Sequence, residues 1–472
     1  MDDYTTFYGS SIRPYPNWCR RIHFFSIDET ALEPKLGELF KLAQDQVDCD
    51  GDKKKARENL STLCRTFSSD SYLGFCTIRP LEGSPVGRTV LRHYEEVAPD
   101  GKRKFNCTRH YKVHLFGLEL TVCGLVFQQQ DQAVSACATT ALWTSLSKTK
   151  DFEDIRTPTP AEITKRATQY LLTASGRAIP ATEGLSLEQM CQAIQSVGLA
   201  PYVIKATASD ETKSYLFSSV LSGFAPILMI RRGDSGHAVT VSGMKRSLTH
   251  TPHIISLSAD IKFDDVSGDL SDLYVNDDRF SPYFKVNVSS LDRNKKIDFV
   301  FLDDNNNEIV ADKQVWELDY ILIPMHSKIR LSFAEIRKMA IDLIKRVNSY
   351  RNTYAAAEPP ITLNSEVQLR TKIMKQSEYV EKLFFGETKL SQSKWKEFNE
   401  RIFLSRYVGI VNLTDHNTFG SLDILIDTTN IKRNPNYLAL ICQTKDLDFS
   451  NYIVETLSRD LVDCPIIIDG IN

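Results

Sequence analysis

The chain has 472 residues, 42% of them apolar and 25% charged, with 57 Lys and Arg against 60 Asp and Glu. That length exceeds one ordinary core and predicts two or three domains of soluble, globular character. A formal charge of −3, with basic runs no longer than Lys53-Lys54-Lys55 and Lys102-Arg103-Lys104, supplies no basic stripe and argues against nucleic acid as a partner.

The opening Met-Asp-Asp-Tyr-Thr-Thr has no basic region followed by an apolar one, so no secretory signal is read. The longest apolar stretches, Tyr320–Pro324 and Pro465–Ile468, fall far below the ~20 residues that span a bilayer. The expectation is a cytoplasmic protein without a membrane partner. Ten cysteines are scattered without C-x-x-C pairs, which predicts reduced, mostly buried thiols and neither disulfides nor a zinc site.

Three segments are expected. Residues 1–125 form an α+β flanking region. Pro34–Val47 and Lys53–Phe67 carry helical spacing around Asp48-Cys49-Asp50-Gly51-Asp52. With Gly51 sixth, a calcium loop would need carboxylates at Gln46 and Arg57, so a helix hairpin is expected instead. Tyr72–Arg79, Thr89–His93 and Tyr111–Phe127 read as β-rich. In residues 126–325, helices are expected over about Ser135–Ser147, from Thr159-Pro160-Ala161-Glu162, and from Ser186-Leu187-Glu188-Gln189 to about Val197 before Gly198. Strands follow at Ala200–Ile204, Ala225–Ile230, His237–Gly243, His253–Ser258 and Leu273–Val275, with Asp303–Asn307 a polar turn. Residues 326–472 form a C-terminal α/β domain. A helix capped by Ser332 and Glu335 opens it, a charged, helix-rich stretch runs to about Tyr407, and four strands close it: Val408–Leu413, Leu422–Asp427, Tyr437–Cys442 and Pro465–Ile468. The carboxylates of Asp423–Thr429 are read as structural.

The segment with chemical interest is Gln128-Gln129-Gln130-Asp131-Gln132-Ala133-Val134-Ser135-Ala136-Cys137. Ser135 as cap places Cys137 in the first turn of an apolar helix, where free N–H groups and the dipole favour thiolate. Gly236-His237-Ala238-Val239-Thr240-Val241-Ser242-Gly243 then sets a histidine at the head of a sheet strand. It follows another strand across an Arg-Arg-Gly-Asp-Ser turn, so the imidazole is expected to point at a facing helix. Leu273-Tyr274-Val275-Asn276-Asp277-Asp278 ends a short strand in carboxylates able to accept from an imidazole N–H. Alternation along that strand puts Val275 and Asp277 on the core side and Asp278 towards solvent.

These motifs, in this order, resemble the papain-like cysteine peptidase clan, closest to the peptidase-like domains of bacterial double-glycine-leader (bacteriocin) processing. The resemblance covers roughly 200 residues. It implies an α+β fold with a nucleophile helix packed on an antiparallel sheet, Cys137 as nucleophile, His237 as base, Asp277 as its orienting carboxylate and Gln130, preferred over Gln132, as an oxyanion donor. It implies no metal or cofactor. The chain departs from the family in carrying Ala138 where glycine follows the cysteine. The separation of 40 positions from His237 to Asp277 is also unusually long, and an inserted hairpin over about Lys245–Asp272 would account for the excess. The activity implied is cleavage of a peptide or isopeptide bond in a protein or peptide substrate. Acyl transfer of the transglutaminase or deamidase type, and an inactive scaffold that binds a partner, are the alternatives. Flanks this large also suggest restraint by a regulatory partner or by the flanks themselves.

Overall fold

The computed structural model describes residues 19–26, 71–81, 84–98, 101–115, 118–130, 137–149, 156–169, 184–249, 253–256, 262–301, 309, 314–354, 367–386, 389–415, 420–429, 437–444 and 464–470. The expected helix pair within 34–67, Ser135 and the Asp303–Asn307 turn lie outside them.

Strands β1 (Arg20–Phe25), β2 (Tyr72–Ile78) and β3 (Val86–Leu91) form a small antiparallel sheet. After β4 (Val97–Ala98) and β5 (Gly101–Lys104), the chain makes a hairpin from β6 (Arg109–Leu115) and β7 (Leu118–Gly124). Helices α1 (Cys137–Thr149), α2 (Pro160–Ala167) and α3 (Leu187–Ser196) come next. Both α2 and α3 start with the reciprocal capping boxes that their sequences specify, Thr159 with Glu162 and Ser186 with Gln189. Past α3 the backbone turns at Gly198, φ 84°, a conformation that glycine adopts without strain.

Strand β8 (Leu199–Lys205) leads to α4 (Asp210–Leu221), a helix the sequence reading did not anticipate. Its buried residues include Thr212, Ser218 and Ser219 as well as Leu216, Phe217 and Val220, so no clean apolar stripe marks it. Then come β9 (Ile227–Arg232), β10 (Ser235–Ser247), β11 (Ile254–Ser256), β12 (Lys262–Asp265), β13 (Leu270–Asn276), β14 (Phe284–Asn287), the one-turn helix α5 (Leu291–Asn294), β15 (Lys296–Phe299) and β16 (Gln314–His326).

The pairing is more than an open sheet. β13 pairs β14 on one side and β10 on the other, so β13-β14-β15-β16-β9-β10 closes into an antiparallel barrel of six strands. Closure removes two edges and separates two faces. Leu228, Ile230, Val239, Val241, Leu273, Val275, Val286, Ile297, Phe299 and Leu318 belong to one buried cluster. The alternate residues Ile227, Met229, Ala238 and Leu322 pack with α1, α2 and α3. Thr240 ties this outer face to the helix by donating to the Ala141 carbonyl at 2.8 Å.

The C-terminal part contains α6 (Phe333–Tyr354), β17 (Gln368–Lys375), α7 (Gln376–Phe385), α8 (Gln392–Arg401), β18 (Tyr407–Asp415), β19 (Gly420–Asp427), β20 (Tyr437–Thr444) and β21 (Ile466–Gly470). Ser332 and Glu335 cap α6 reciprocally. β17 was hidden in a stretch read as helical. Its sheet runs β11-β12-β17-β18-β19-β20-β21. The insertion between the histidine and aspartate strands therefore does contain a hairpin, β11–β12, but that hairpin extends the C-terminal sheet through a parallel pairing of β12 with β17. At the other end β5 adds to β10. Strand pairing thus crosses both of the expected segment boundaries. Among the described residues no helix is long and apolar enough to cross a membrane.

Gly243 stands where the pairing of β5 with β10 ends and the β10–β13 register shifts. A Cβ there would lie 2.5 Å from the Phe105 ring and 2.7 Å from the Lys104 carbonyl oxygen. Gly243→Ala should lower stability by about 1–3 kcal/mol, measured by urea unfolding. An unchanged midpoint would mean that β5 shifts freely.

Candidate active site

Cys137 opens the described helix α1 and is half-buried. His237 stands near the start of β10, directly after the Gly233–Asp234 turn, and is 8% exposed. Alternation puts it on the face of Val239 and Val241 and not on the face of Ala238 and Thr240 that packs on α1. The Cys137 thiol, at the first turn of α1, is near enough to act on the imidazole and favour its charged form.

Asp277 lies just beyond β13, which pairs Val241 with Val275 and Thr240 with Asn276. This register sets Asp277 diagonal to His237 on the same face. Nε2–H of His237 donates to Oδ1 of Asp277 at 3.1 Å. With Nε2 committed, Nδ1 is the nitrogen left to face the thiol.

Arg279 completes the arrangement, and sequence reading did not weigh it. Its Nη2 donates to Asp277 Oδ2 at 2.8 Å, its Nε to Oδ1 at 3.1 Å and its backbone N–H to Oδ1 at 2.9 Å. This is a bidentate fork that fixes the carboxylate plane. The guanidinium in turn lies 4.8 Å from the Trp316 ring centre, 5.0 Å from Phe280 and 5.5 Å from Phe299. Trp316 is itself 6.0 Å from the His237 ring. The only advance signal was proximity, since Arg279 sits two positions after Asp277.

The charges follow from these contacts. Burial alone would lower the His237 pKa. The hydrogen bonds to Asp277 and Cys137 and the Asp277 charge outweigh it and raise the pKa to about 9. Burial would raise Asp277, but its bonds to His237 and Arg279 bring it down to about 2. The structure favours an imidazolium–carboxylate pair across neutral pH.

Asp278 departs from expectation. Strand alternation predicts solvent for it, yet it is 4% exposed with Oδ1 3.6 Å from His237 Nε2. The strand ends at Asn276, so the two-residue period no longer governs positions 277 and 278. Neither Asp278 oxygen has a hydrogen-bond partner among the described residues. Burial, with the Asp277 charge adding, pushes its pKa up to about 6.

The donor atoms of His237, Asp277 and Asp278 fall within 4.8 Å of one another. A cation there would sit beside the guanidinium that already holds both Asp277 oxygens. The donor set fits a proton relay better than a metal site.

Gln130 ends the described stretch before α1, and its Oε1 is buried without a hydrogen-bond partner among the described residues. The preceding residue is pinned: Gln129 N–H donates to the Val86 carbonyl at 2.9 Å. Arg79 Nη2 donates to the carbonyls of Ser84, Val86 and Gln129 at 2.9, 3.2 and 3.0 Å. The N-terminal sheet thus holds the loop that carries Gln130. Gln132 falls in residues 131–136, outside the described part.

Comparison with known proteins gave no match to a family model and none to a curated relative.

Two outcomes test this electrostatic arrangement. Asp278 binds a proton more tightly folded than unfolded, so it costs stability as pH rises from about 4 to 6. Asp278→Asn should raise Tm above pH 6, with the gain vanishing below about pH 4. An equal Tm difference at pH 3.5 and 7.5 would contradict the assignment. Arg279→Lys keeps the charge and loses the fork. It should cut the alkylation rate of Cys137 by about tenfold or more, read by mass spectrometry, while a rate equal to wild type would remove Arg279 from the relay.

Proposed function

We propose that the chain is a papain-like cysteine hydrolase that cleaves a peptide or isopeptide bond in a protein or peptide substrate. The observation that carries this reading is the relay from Cys137 through His237 to Asp277. In it a thiol at a helix start acts on an imidazole whose Nε2 is held by a buried, ionised carboxylate.

In the resting thiolate–imidazolium pair the thiol proton already sits on His237, and the Cys137 thiolate attacks the substrate carbonyl carbon. The carbonyl oxygen becomes an oxyanion, with the Gln130 side-chain amide and the Cys137 backbone N–H as its donors. The His237 imidazolium gives its proton to the leaving amine as the C–N bond breaks. Water, deprotonated by the neutral imidazole, then attacks the thioester and frees Cys137. Asp277 keeps the imidazole in one orientation throughout and stabilises its charged form. The catalytic residues are Cys137, His237 and Gln130, with Asp277 and Arg279 in positioning roles.

Iodoacetamide mapping at neutral pH should find Cys137 among the fastest-reacting thiols, and His237→Ala should slow it. Proteomics of new N-termini in cells expressing wild type against Cys137→Ser should reveal substrates. Absence of both effects would overturn the reading, whereas amine incorporation without new termini would redirect it to acyl transfer.

The pKa values set a pH signature. Hydrolysis requires the imidazolium as acid, so kcat/KM should fall as pH rises through about 9, while alkylation, which needs only thiolate, should not fall there. Parallel decline of both rates would contradict the role of His237. Asp277→Asn should reduce kcat/KM by orders of magnitude, on the scale of the about 10⁴-fold loss seen in trypsin-type triads. Asp278→Asn should stay within about tenfold, the effect of one unit in the imidazole pKa. Equal losses in the two variants would show that either carboxylate can orient the base.

A further inference from the structure

A cavity of about 390 Å³ opens beside α1, and none of the residues lining it belongs to the relay above. Its walls come from β3, the β6 strand, the later part of α1 and the entry to α2. Three guanidinium groups line it, those of Arg88, Arg109 and Arg156, and among the described residues no Asp or Glu does. Like charges gathered round a space repel one another, and an anion set among them turns that repulsion into attraction. Each guanidinium can meet a phosphate with two parallel N–H donors.

Two of the three arginines are held in place. Arg109 Nη1 donates to the Ser147 carbonyl at 2.8 Å, and its guanidinium lies 4.5 Å from the Tyr111 ring centre. That ring is fixed in turn: Ser147 Oγ donates to the Thr144 carbonyl at 2.7 Å, so the Tyr111 hydroxyl, 3.3 Å away, donates to Ser147 Oγ. Arg156 pairs with Glu162, whose carboxylate also accepts from the Thr159 N–H at 2.8 Å. Arg88 is exposed on β3 and has no hydrogen bond or ion pair among the described residues. The rest of the lining includes a planar apolar wall. Trp143 is half-buried, packs against both the helix cluster and the hairpin cluster, and has no ring or cation partner among the described residues. Val126 and Pro158 add buried apolar surface.

We propose that this cavity binds a small phosphorylated molecule with a planar ring, of the nucleoside monophosphate class, its phosphate among the three arginines and its ring against Trp143. A bare ion would leave the indole wall and most of the volume unused. The size instead falls in the range of about 300–1,000 Å³ that small-molecule pockets occupy. A neutral ring compound, for its part, would leave three guanidinium groups facing one another without an anion.

Isothermal titration calorimetry of the full-length protein with adenosine monophosphate, adenosine and inorganic phosphate tests the assignment. The monophosphate should bind at one site, and adenosine and phosphate each at least about tenfold more weakly, since each lacks half of what the cavity recognises. Arg88→Gln removes a charge and breaks no contact among the described residues. It should weaken the monophosphate by about tenfold or more and leave adenosine unchanged. Cys137→Ser should bind the monophosphate as wild type does, so this site and the hydrolase reading stand or fall separately. Any of three results would overturn the proposal: no saturable monophosphate binding below about 1 mM, phosphate or adenosine binding as tightly as the monophosphate, or an unchanged monophosphate affinity in Arg88→Gln of unchanged Tm. Should Arg88→Gln fail to fold, the wild type decides through phenylglyoxal labelling of arginines, mapped by mass spectrometry. Protection of Arg88 by the monophosphate and not by adenosine supports the site, and equal labelling with and without the monophosphate refutes it.

Discussion

An ionised carboxylate with no solvent exposure is the constraint around which this molecule is arranged. Asp277 is fully buried, and an isolated charge in that position would cost several kcal/mol. It persists because Arg279 and His237 satisfy its oxygens together. Arg279 would itself be costly at three-quarters burial without compensation. Its guanidinium finds it among Trp316, Phe280 and Phe299, which offer ring faces to a cation. An aromatic wall thus supports an arginine, the arginine fixes a carboxylate, and the carboxylate sets the charge on a histidine.

Barrel closure gives that chain of dependence its geometry. Because β13 pairs with both β14 and β10, the strands bearing His237 and Asp277 are neighbours with a fixed register. A change in the register of one strand by a single residue would swap its faces and move the imidazole or the carboxylate out of reach. The same register turns Ala238 and Thr240 outward to α1. One strand therefore positions both the imidazole and the helix that carries the thiol.

Local sequence carried the elements but not their closure. The caps at Thr159, Ser186 and Ser332 were legible because a capping box is complete within four residues. Cys137, His237 and Asp277 were legible as residue types at the ends of recognisable elements. What was not legible depends on long-range pairing: the barrel, the seat of β11–β12 on the C-terminal sheet, and the burial of Asp278 past the end of its strand. Arg279 was missed since a charged residue after two aspartates reads as solvated turn, and only the wall of Phe299 and Trp316, distant in sequence, takes it inside. Helix α4 was missed because serines and threonines occupy buried positions where a stripe of aliphatic residues would have announced it.

The β11–β12 hairpin has a practical consequence for dissecting the chain. It sits between the histidine strand and the aspartate strand in sequence, yet its hydrogen-bonding partner, β17, comes from the far end. A fragment ending after β16 would retain every residue of the relay and lose the neighbour of β12. Phe263 and Val266, now fully buried, would meet solvent beside an open row of backbone donors and acceptors, the kind of edge that recruits other chains. Such a fragment invites aggregation for reasons unrelated to its chemistry, and a shortened protein that keeps the relay should either retain β17 and the strands that shelter it or dispense with the hairpin altogether.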